Sequence, residues 1–426
     1  MVVKSLAVNN AIVLSLNRVE DEHKSVLVEN GIIKKIGSES FDADIVIDAD
    51  SKILVPGLIN THNHVAMSRF KGLLDDIKLS TFLDITFKLD SERSAEDIYN
   101  SSIIGICEMI DSGTTAFADL YYSEDIIAKA VNDCGIRGFL SWNTLDKKFT
   151  TQPGNPIDNA ENFILGHKGK TEFVFPSIGV QGVYVASDET YIAARDISKR
   201  HGTIVHTHLA ETREEISNCV NSTGKRPVEK LSSIGFLQDN VLAAHCVWLN
   251  LSEIRALGKN GVKVSWNSIS NQKLGVGGIP PIPELIRSGT TVSLGTDSNG
   301  SNNSFDMFSL MKNSSISMKN ARWDPSLLNA AQILEMATFN AAKAVGSNDI
   351  GVILEGKLAD MIIIDSSAAN MIPTNSRNAI NNIVYSCGPQ NVETVIIGGN
   401  ILKDKFKLNS NLEERKKSAM KIVNKF

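Results

Sequence analysis

Two histidines stand two residues apart in GLINTHNH, His62 and His64. Two more stand two apart in TIVHTHLAE, His206 and His208, with Glu211 three residues beyond the second. His245 ends the apolar stretch NVLAAH, and Asp297 closes TTVSLGTD. Each of these polar groups interrupts a run that otherwise reads as buried. Taken alone, a buried histidine is usually a satisfied core group. Imidazoles and carboxylates at the ends of four apolar runs are a different pattern. Neutral imidazoles with a carboxylate are ligands for a divalent metal, zinc by default. A catalytic ion keeps one position open for water. Iron or another first-row ion accepts the same ligands. The remaining histidines, His23, His167 and His201, fall in loops or at helix ends and read as surface residues.

These groups need elements that bring them together. Eight apolar runs suit buried parallel strands: 57–64, 114–121, 137–142, 173–182, 203–211, 240–249, 262–270 and 290–298. Segments with helical spacing lie between them, several ending in Gly as helix C-caps do. Eight βα units predict a closed (β/α)8 TIM barrel. An open doubly wound sheet would want a Gly-rich phosphate loop after its first strand. GVGG at 275–278 is too short for that and opens no clear helix. In a strand, residues i and i+2 share a face, so His62 and His64 both point into the barrel. Barrel chemistry sits at the C-terminal ends of strands, where these polar groups fall.

The first 56 residues and the last 75 or so read as short strands and tight turns. The predicted organisation is a small β-sandwich domain built from both termini, residues 1–56 and 351–426, around a catalytic barrel of residues 57–350. NLEERKKSAMKIVNKF at the end reads as a solvated terminal helix.

The chain has 426 residues, a net charge of −5 and 42% apolar content. That balance gives no reason to expect a nucleic-acid or membrane partner. The five cysteines are odd in number and form no CxxC, which argues against a disulfide framework or a cysteine zinc site. No signal-type apolar stretch opens the chain, and no run of about 18 apolar residues occurs. A cytoplasmic setting is expected, and a homo-oligomer, as barrels of this size often associate.

PGLINTHNHVAMSRFKGLLDD (56–76), VHTHLAET (205–212), AAHCVWL (243–249) and GTDSNGSNN (295–303) resemble the amidohydrolase superfamily. Within it they are similar to the branch of methylthioadenosine/S-adenosylhomocysteine deaminases and chlorohydrolase-like enzymes. LVENGIIKKIG and GKLADMIIID resemble that family's small β-sandwich. The resemblance implies metal ligands at His62, His64, His208 and Asp297. It favours His208 over His206, because the family's glutamate follows the ligand by three residues. It also implies Glu211 as proton shuttle and His245 beside the attacked carbon, with Asp297 taking a proton from water. His206 then stands one layer deeper. Binuclear members place a Lys or Glu at the end of strand 3 or 4. RGFLSW and FVFPSIGVQG offer neither, so one divalent metal ion is expected.

The substrate side departs from the nucleoside-deaminase pattern. Asp90 in FKLDSERS stands where the family carries a ribose-binding Glu. Gln181 in GVQGVY replaces a His, and Trp266 in WNSISN replaces another. Trp142 stands in place of a carboxylate-binding Arg. Asp90, Trp142, Gln181 and Glu211 are therefore the expected substrate-binding residues, and the two tryptophans could stack on a heterocycle. The polar stretch 146–163 reads as an insertion after strand 3. The implied function is metal-dependent hydrolytic deamination of an aminated heterocycle, foremost an adenine nucleoside such as methylthioadenosine, adenosine or S-adenosylhomocysteine. A triazine hydrolase or a guanine or cytosine deaminase would use the same residues. A non-catalytic metal-binding barrel is the reading from another class.

Overall fold

The chain's first strands and its last ones meet in one mixed sheet. The structure, a computed structural model, describes residues 5–15, 18–19 and 23–425. Six strands open the chain: β1 (Ser5–Ser15), β2 (Arg18–Val19), β3 (Lys24–Glu29), β4 (Ile32–Gly37), β5 (Ile45–Asp48) and β6 (Lys52–Pro56). Eight barrel strands follow: β7 (Leu58–Asn63), β8 (Thr114–Tyr121), β9 (Arg137–Thr144), β10 (Val174–Val180), β11 (Val205–Leu209), β12 (Val241–His245), β13 (Lys263–Trp266) and β14 (Val292–Leu294). Four more come after the barrel: β15 (Met361–Asp365), β16 (Val392–Ile397), β17 (Asn400–Asp404) and β18 (Lys407–Leu408).

The two ends join at β6 and β15, which run antiparallel with Pro56 opposite Met361 and Lys52 opposite Asp365. The expected sandwich is one ten-stranded sheet, eight strands in a continuous path with β2 and β5 paired to β1 beside it. Strand β1 folds it over. Residues Leu6–Asn9 pair with β5, residues Ile12 and Val13 pair with β6, and the register against β3 shifts between Val8 and Ala11. Asn10, between them, takes a left-handed φ of 66°, a conformation Asn tolerates well. Leu6, Val8, Leu54, Met361 and Ile396 then share one apolar cluster.

All eight apolar runs form parallel strands, adjacent in chain order from β7 to β14. Strands β7, β8, β11, β12 and β14 are buried along their whole length, as parallel strands covered on both faces must be. The ring closes at the site rim, where Asp297 N donates to His62 O at 2.8 Å. One expected strand is shorter than its apolar run. Residues 262–270 split into β13 and a helix, Ser268–Lys273. Left-handed glycines at 135, 202 and 224 end three of the connecting helices, as their sequence positions suggested.

Two further expectations need correction. The stretch 146–163 is only partly an insertion: its second half is the start of the barrel helix Pro156–His167. The terminal helix, Ser410–Val423, is not solvated all round. It buries Leu412 and Ala419 against the helix Ala95–Asp111. A buried ion pair also ties the barrel to the terminal sheet. Arg137, at the start of β9, donates Nε and Nη2 to Asp360 at 2.6 and 2.9 Å, and Asp360 also accepts from Gly398 N at 2.8 Å.

Candidate active site

Strands β7, β11, β12 and β14 deliver the expected groups to one rim. His62, His208, His245 and Asp297 are all buried. His62 Nε2 lies 3.8 Å from Asp297 Oδ1, and His64 Nε2 lies 3.4 Å from the same oxygen. The His62 and His208 rings stand edge to face, 5.0 Å between centroids. Among the described residues, His62 with His64 and Asp297, and His62 with His208 and His245, place their ligand atoms within 4.8 Å of one another. The two sets share His62 and describe one centre.

The outer nitrogens set the tautomers. His64 Nδ1 donates to Leu120 O, and His208 Nδ1 donates to Gln181 O, each at 2.6 Å. His62 Nδ1 meets His206 Nε2 at 2.8 Å. Each of these contacts holds a ring by Nδ1 and leaves the Nε2 lone pair facing inward, the usual arrangement around a ligating imidazole. His62 Nε2 is buried with no hydrogen-bond partner. A divalent cation satisfies such an atom, so the residues fit the group. Burial first, then neighbouring imidazoles, drive the His62 ring well below the usual range and His208 down to about 3, which keeps both rings neutral. His206 takes the deeper position expected of it, fixing His62.

Asp297 is held on both oxygens. Ser270 Oγ donates to Oδ2 at 2.6 Å and Ser298 N to Oδ1 at 2.7 Å. Burial opposes its charge, but His245, His64 and the Ser270 hydroxyl hold its carboxyl below the usual range. His245 differs from the other rings. Asn271 Nδ2 donates to its Nδ1 at 2.8 Å, so its hydrogen sits on Nε2 as a donor. Glu211 Oε1 lies 3.8 Å from His245 Nδ1. Burial, then the charge of Asp297, push the Glu211 carboxyl up to about 8, so it carries a proton near neutrality. The loop bearing it is pinned by Glu215, whose carboxylate accepts from Ala210 N at 2.9 Å and Glu211 N at 2.7 Å. Ala210, His245, Cys246 and Asp297 all adopt positive φ, between 51° and 74°. Such backbone costs about 1–3 kcal/mol per residue and gathers where function requires it.

The expected substrate residues divide. Asp90 lies on the helix Leu79–Ser91, near enough to His64 for that ring to act on its carboxyl. Tyr121 Oη donates to it at 2.5 Å, and Arg93 stands 3.6 Å away. Gln181 reaches the site chiefly through its carbonyl on His208, while its side chain accepts from Asn143 and donates to Tyr184 Oη at 3.0 Å. Trp142 is not brought in. Its ring packs on Phe163 outside the ring of strands, at 5.7 Å between centroids, and lines a separate cavity of about 450 Å³ with Ile126, Phe163 and His167. Neighbouring residues of a strand face opposite ways, and here Asn143 faces inward. Trp266 is likewise buried in the core and offers no stacking face. Ser270, Asn271, Asn143 and Glu215 escaped the sequence reading. Their one signal is polarity in segments that are otherwise buried, as in WNSISN.

The Amidohydrolase family profile matches residues 53–402. The chain belongs to the amidohydrolase family. As a member of it the protein is a hydrolase acting on C–N bonds. It is 36% identical to a 5′-deoxyadenosine deaminase of Methanosarcina barkeri, over 98% of both chains. It is 35% identical to a 5-methylthioadenosine/S-adenosylhomocysteine deaminase of Thermococcus sibiricus, over 93% of this chain and 94% of that one. Among solved structures it is similar to an adenosine deaminase from Xanthomonas campestris with bound zinc: TM-score 0.92, 25% identity, 99% of both chains. A triazine hydrolase from Arthrobacter shares the amidohydrolase fold, with a TM-score of 0.90 at 21% identity. No helix among the described residues of this amidohydrolase is long and apolar enough to cross a membrane.

Proposed function

We propose that this amidohydrolase is a metal-dependent hydrolytic deaminase of adenine nucleosides with an uncharged 5′ end, 5′-deoxyadenosine foremost. The observation that carries the reading is the placement of Glu211. A part-buried carboxyl, raised to about 8 and so protonated near neutrality, stands beside His245 and Asp297 at the face of the three-histidine cluster. His62, His64, His208 and Asp297 would hold one divalent ion, zinc by default. When bound, the ion supplies Lewis acidity that brings the pKa of a water toward neutrality.

The chain's own groups do the rest. Asp297 takes a proton from the attacking water. His245, with its hydrogen on Nε2, donates to the oxygen as charge develops at the amino-bearing carbon. Glu211 gives its proton to the neighbouring ring nitrogen, and the amine leaves as ammonia after a further proton transfer. Two carboxyls can hold these opposite roles because their surroundings separate their pKa values. Asp90, with Tyr121 and Arg93 fixing it, faces the sugar hydroxyls, and Gln181 lines the same mouth through its contacts with Asn143 and Tyr184. The relatives named for 5′-deoxyadenosine and methylthioadenosine support this substrate class. The inward position at the end of β9 is held by the neutral Asn143, so an amino-acid tail such as that of S-adenosylhomocysteine gains no cationic anchor there.

The test is ammonia release by the metal-quantified enzyme from 5′-deoxyadenosine, methylthioadenosine, adenosine, S-adenosylhomocysteine, guanine and a chlorotriazine. The highest kcat/KM is expected for 5′-deoxyadenosine or methylthioadenosine, above that for S-adenosylhomocysteine. Turnover of guanine or the triazine alone would overturn the nucleoside assignment.

A further inference from the structure

Asp119 on β8 and Glu124 at the start of the helix Glu124–Cys134 are fully buried acids that the reaction above does not use. Each binds one backbone amide. Asp119 Oδ1 accepts from Val65 N at 2.7 Å, and Glu124 Oε1 accepts from Tyr121 N at 3.0 Å. Their other oxygens, Asp119 Oδ2 and Glu124 Oε2, are buried without partners. Among the described residues, no cationic side chain acts on either group. A carboxyl buried without a cation favours its neutral form. Burial raises both, and the charge of Asp119 raises Glu124 further.

What the pair holds is the mounting of a metal ligand. Val65 directly follows His64. Leu120, which lies between Asp119 and Tyr121, accepts from His64 Nδ1. One acid thus fixes the amide after His64, and the other fixes the amide after the carbonyl that aims its ring. We propose that Asp119 and Glu124, through these two amide hydrogen bonds, position His64 for its ion; this rests on the metal reading of His64 given above. Neither acid touches ion or substrate, so both are positioning residues.

The test is Zn2+ affinity of the full chain, stripped of metal and titrated against a competing chelator, with the thermal midpoint of the metal-free protein read separately. Asp119→Ala and Glu124→Ala should weaken Zn2+ binding roughly 10- to 100-fold, the range typical of groups that orient a ligand. Asp119→Asn should stay within a few-fold of wild type. Its amide oxygen still accepts from Val65 N. Folded alanine variants that bind Zn2+ like wild type overturn the positioning role, whatever their melting point. Asp119→Asn binding as weakly as Asp119→Ala would show that the Val65 hydrogen bond is not what positions the ring, and overturns that role likewise. If the alanine variants do not fold, Asp119→Glu and Glu124→Asp, which keep the carboxyl and shift the acceptor by one methylene, decide the matter. Each should weaken Zn2+ binding, and wild-type affinity in both overturns the proposal. A wild-type chain that takes up no Zn2+ overturns the metal reading itself, a distinguishable result.

Discussion

Single side chains carry the sharpest expectations. Glu211→Gln keeps the shape and removes the proton donor. Its kcat should fall roughly 10²- to 10⁴-fold, while Zn2+ affinity stays near that of wild type. A variant that turns over at wild-type rate would move the proton transfer to another group. The same carboxyl gives a pH signature without catalysis. Its pKa is raised from 4.5 to about 8, so the folded metal-free protein holds this proton more tightly than the unfolded chain. That contribution to stability is complete below about pH 4.5 and is lost as pH rises through about 8. Metal-free Glu211→Gln has no such proton to lose. Its urea midpoint should therefore fall less than that of metal-free wild type between about pH 6 and about pH 9. Glu215, raised to about 7 chiefly by burial and in smaller part by the charge of Glu211, remains in both proteins, and losing that charge shifts its own contribution in the same direction. An identical decline in the two would place the Glu211 pKa at its ordinary value. The proposed ligands His62, His64, His208 and Asp297 were legible at this scale, because they spoil apolar runs and the structure gathers them at one rim. Ser270 and Asn271 were not, because hydroxyls and amides near a strand end are common and their partners lie 27 and 26 residues away.

At the level of strands, the period of two decides which neighbour faces the site. The run RGFLSW was correctly a strand, yet its last residue points outward and Asn143 points in. The motif marks the strand end but not its phase. Trp142→Leu should therefore lower the thermal midpoint, since it removes the partner of Phe163, and leave KM for the nucleoside within a few-fold. A tenfold or greater rise in KM would return the indole to the substrate. The split of residues 262–270 follows a similar logic. An apolar run cannot show where a strand stops and a short helix begins, because both bury the same kinds of side chain.

For the molecule as a whole, the barrel and the joined termini were legible from eight βα units and two β-rich ends. The ion pair that fastens them was not. Arg137 opens an apolar run and Asp360 lies 223 residues later, with nothing in sequence to connect them. Removing one partner strands the other as a buried charge. Asp360→Ala should cost about 3–5 kcal/mol in denaturant unfolding, and Arg137→Met/Asp360→Ala should recover part of that loss. A double variant no better than the single would show that the two charges do not act as a pair.

The ring of strands closes where Asp297 N meets His62 O, and this has a bearing on biosynthesis. Ribosomes deliver the chain from its first residue onward. A nascent polypeptide that has emerged only as far as β11 presents His62, His64 and His208 without their carboxylate. Asp297 leaves the exit tunnel with the last barrel strand, and the partner of β6 in the terminal sheet follows later still. On the proposed ligand set, the complete coordination sphere would exist only once translation has passed most of the chain. A chain terminated before Asp297 would then lack the carboxylate ligand.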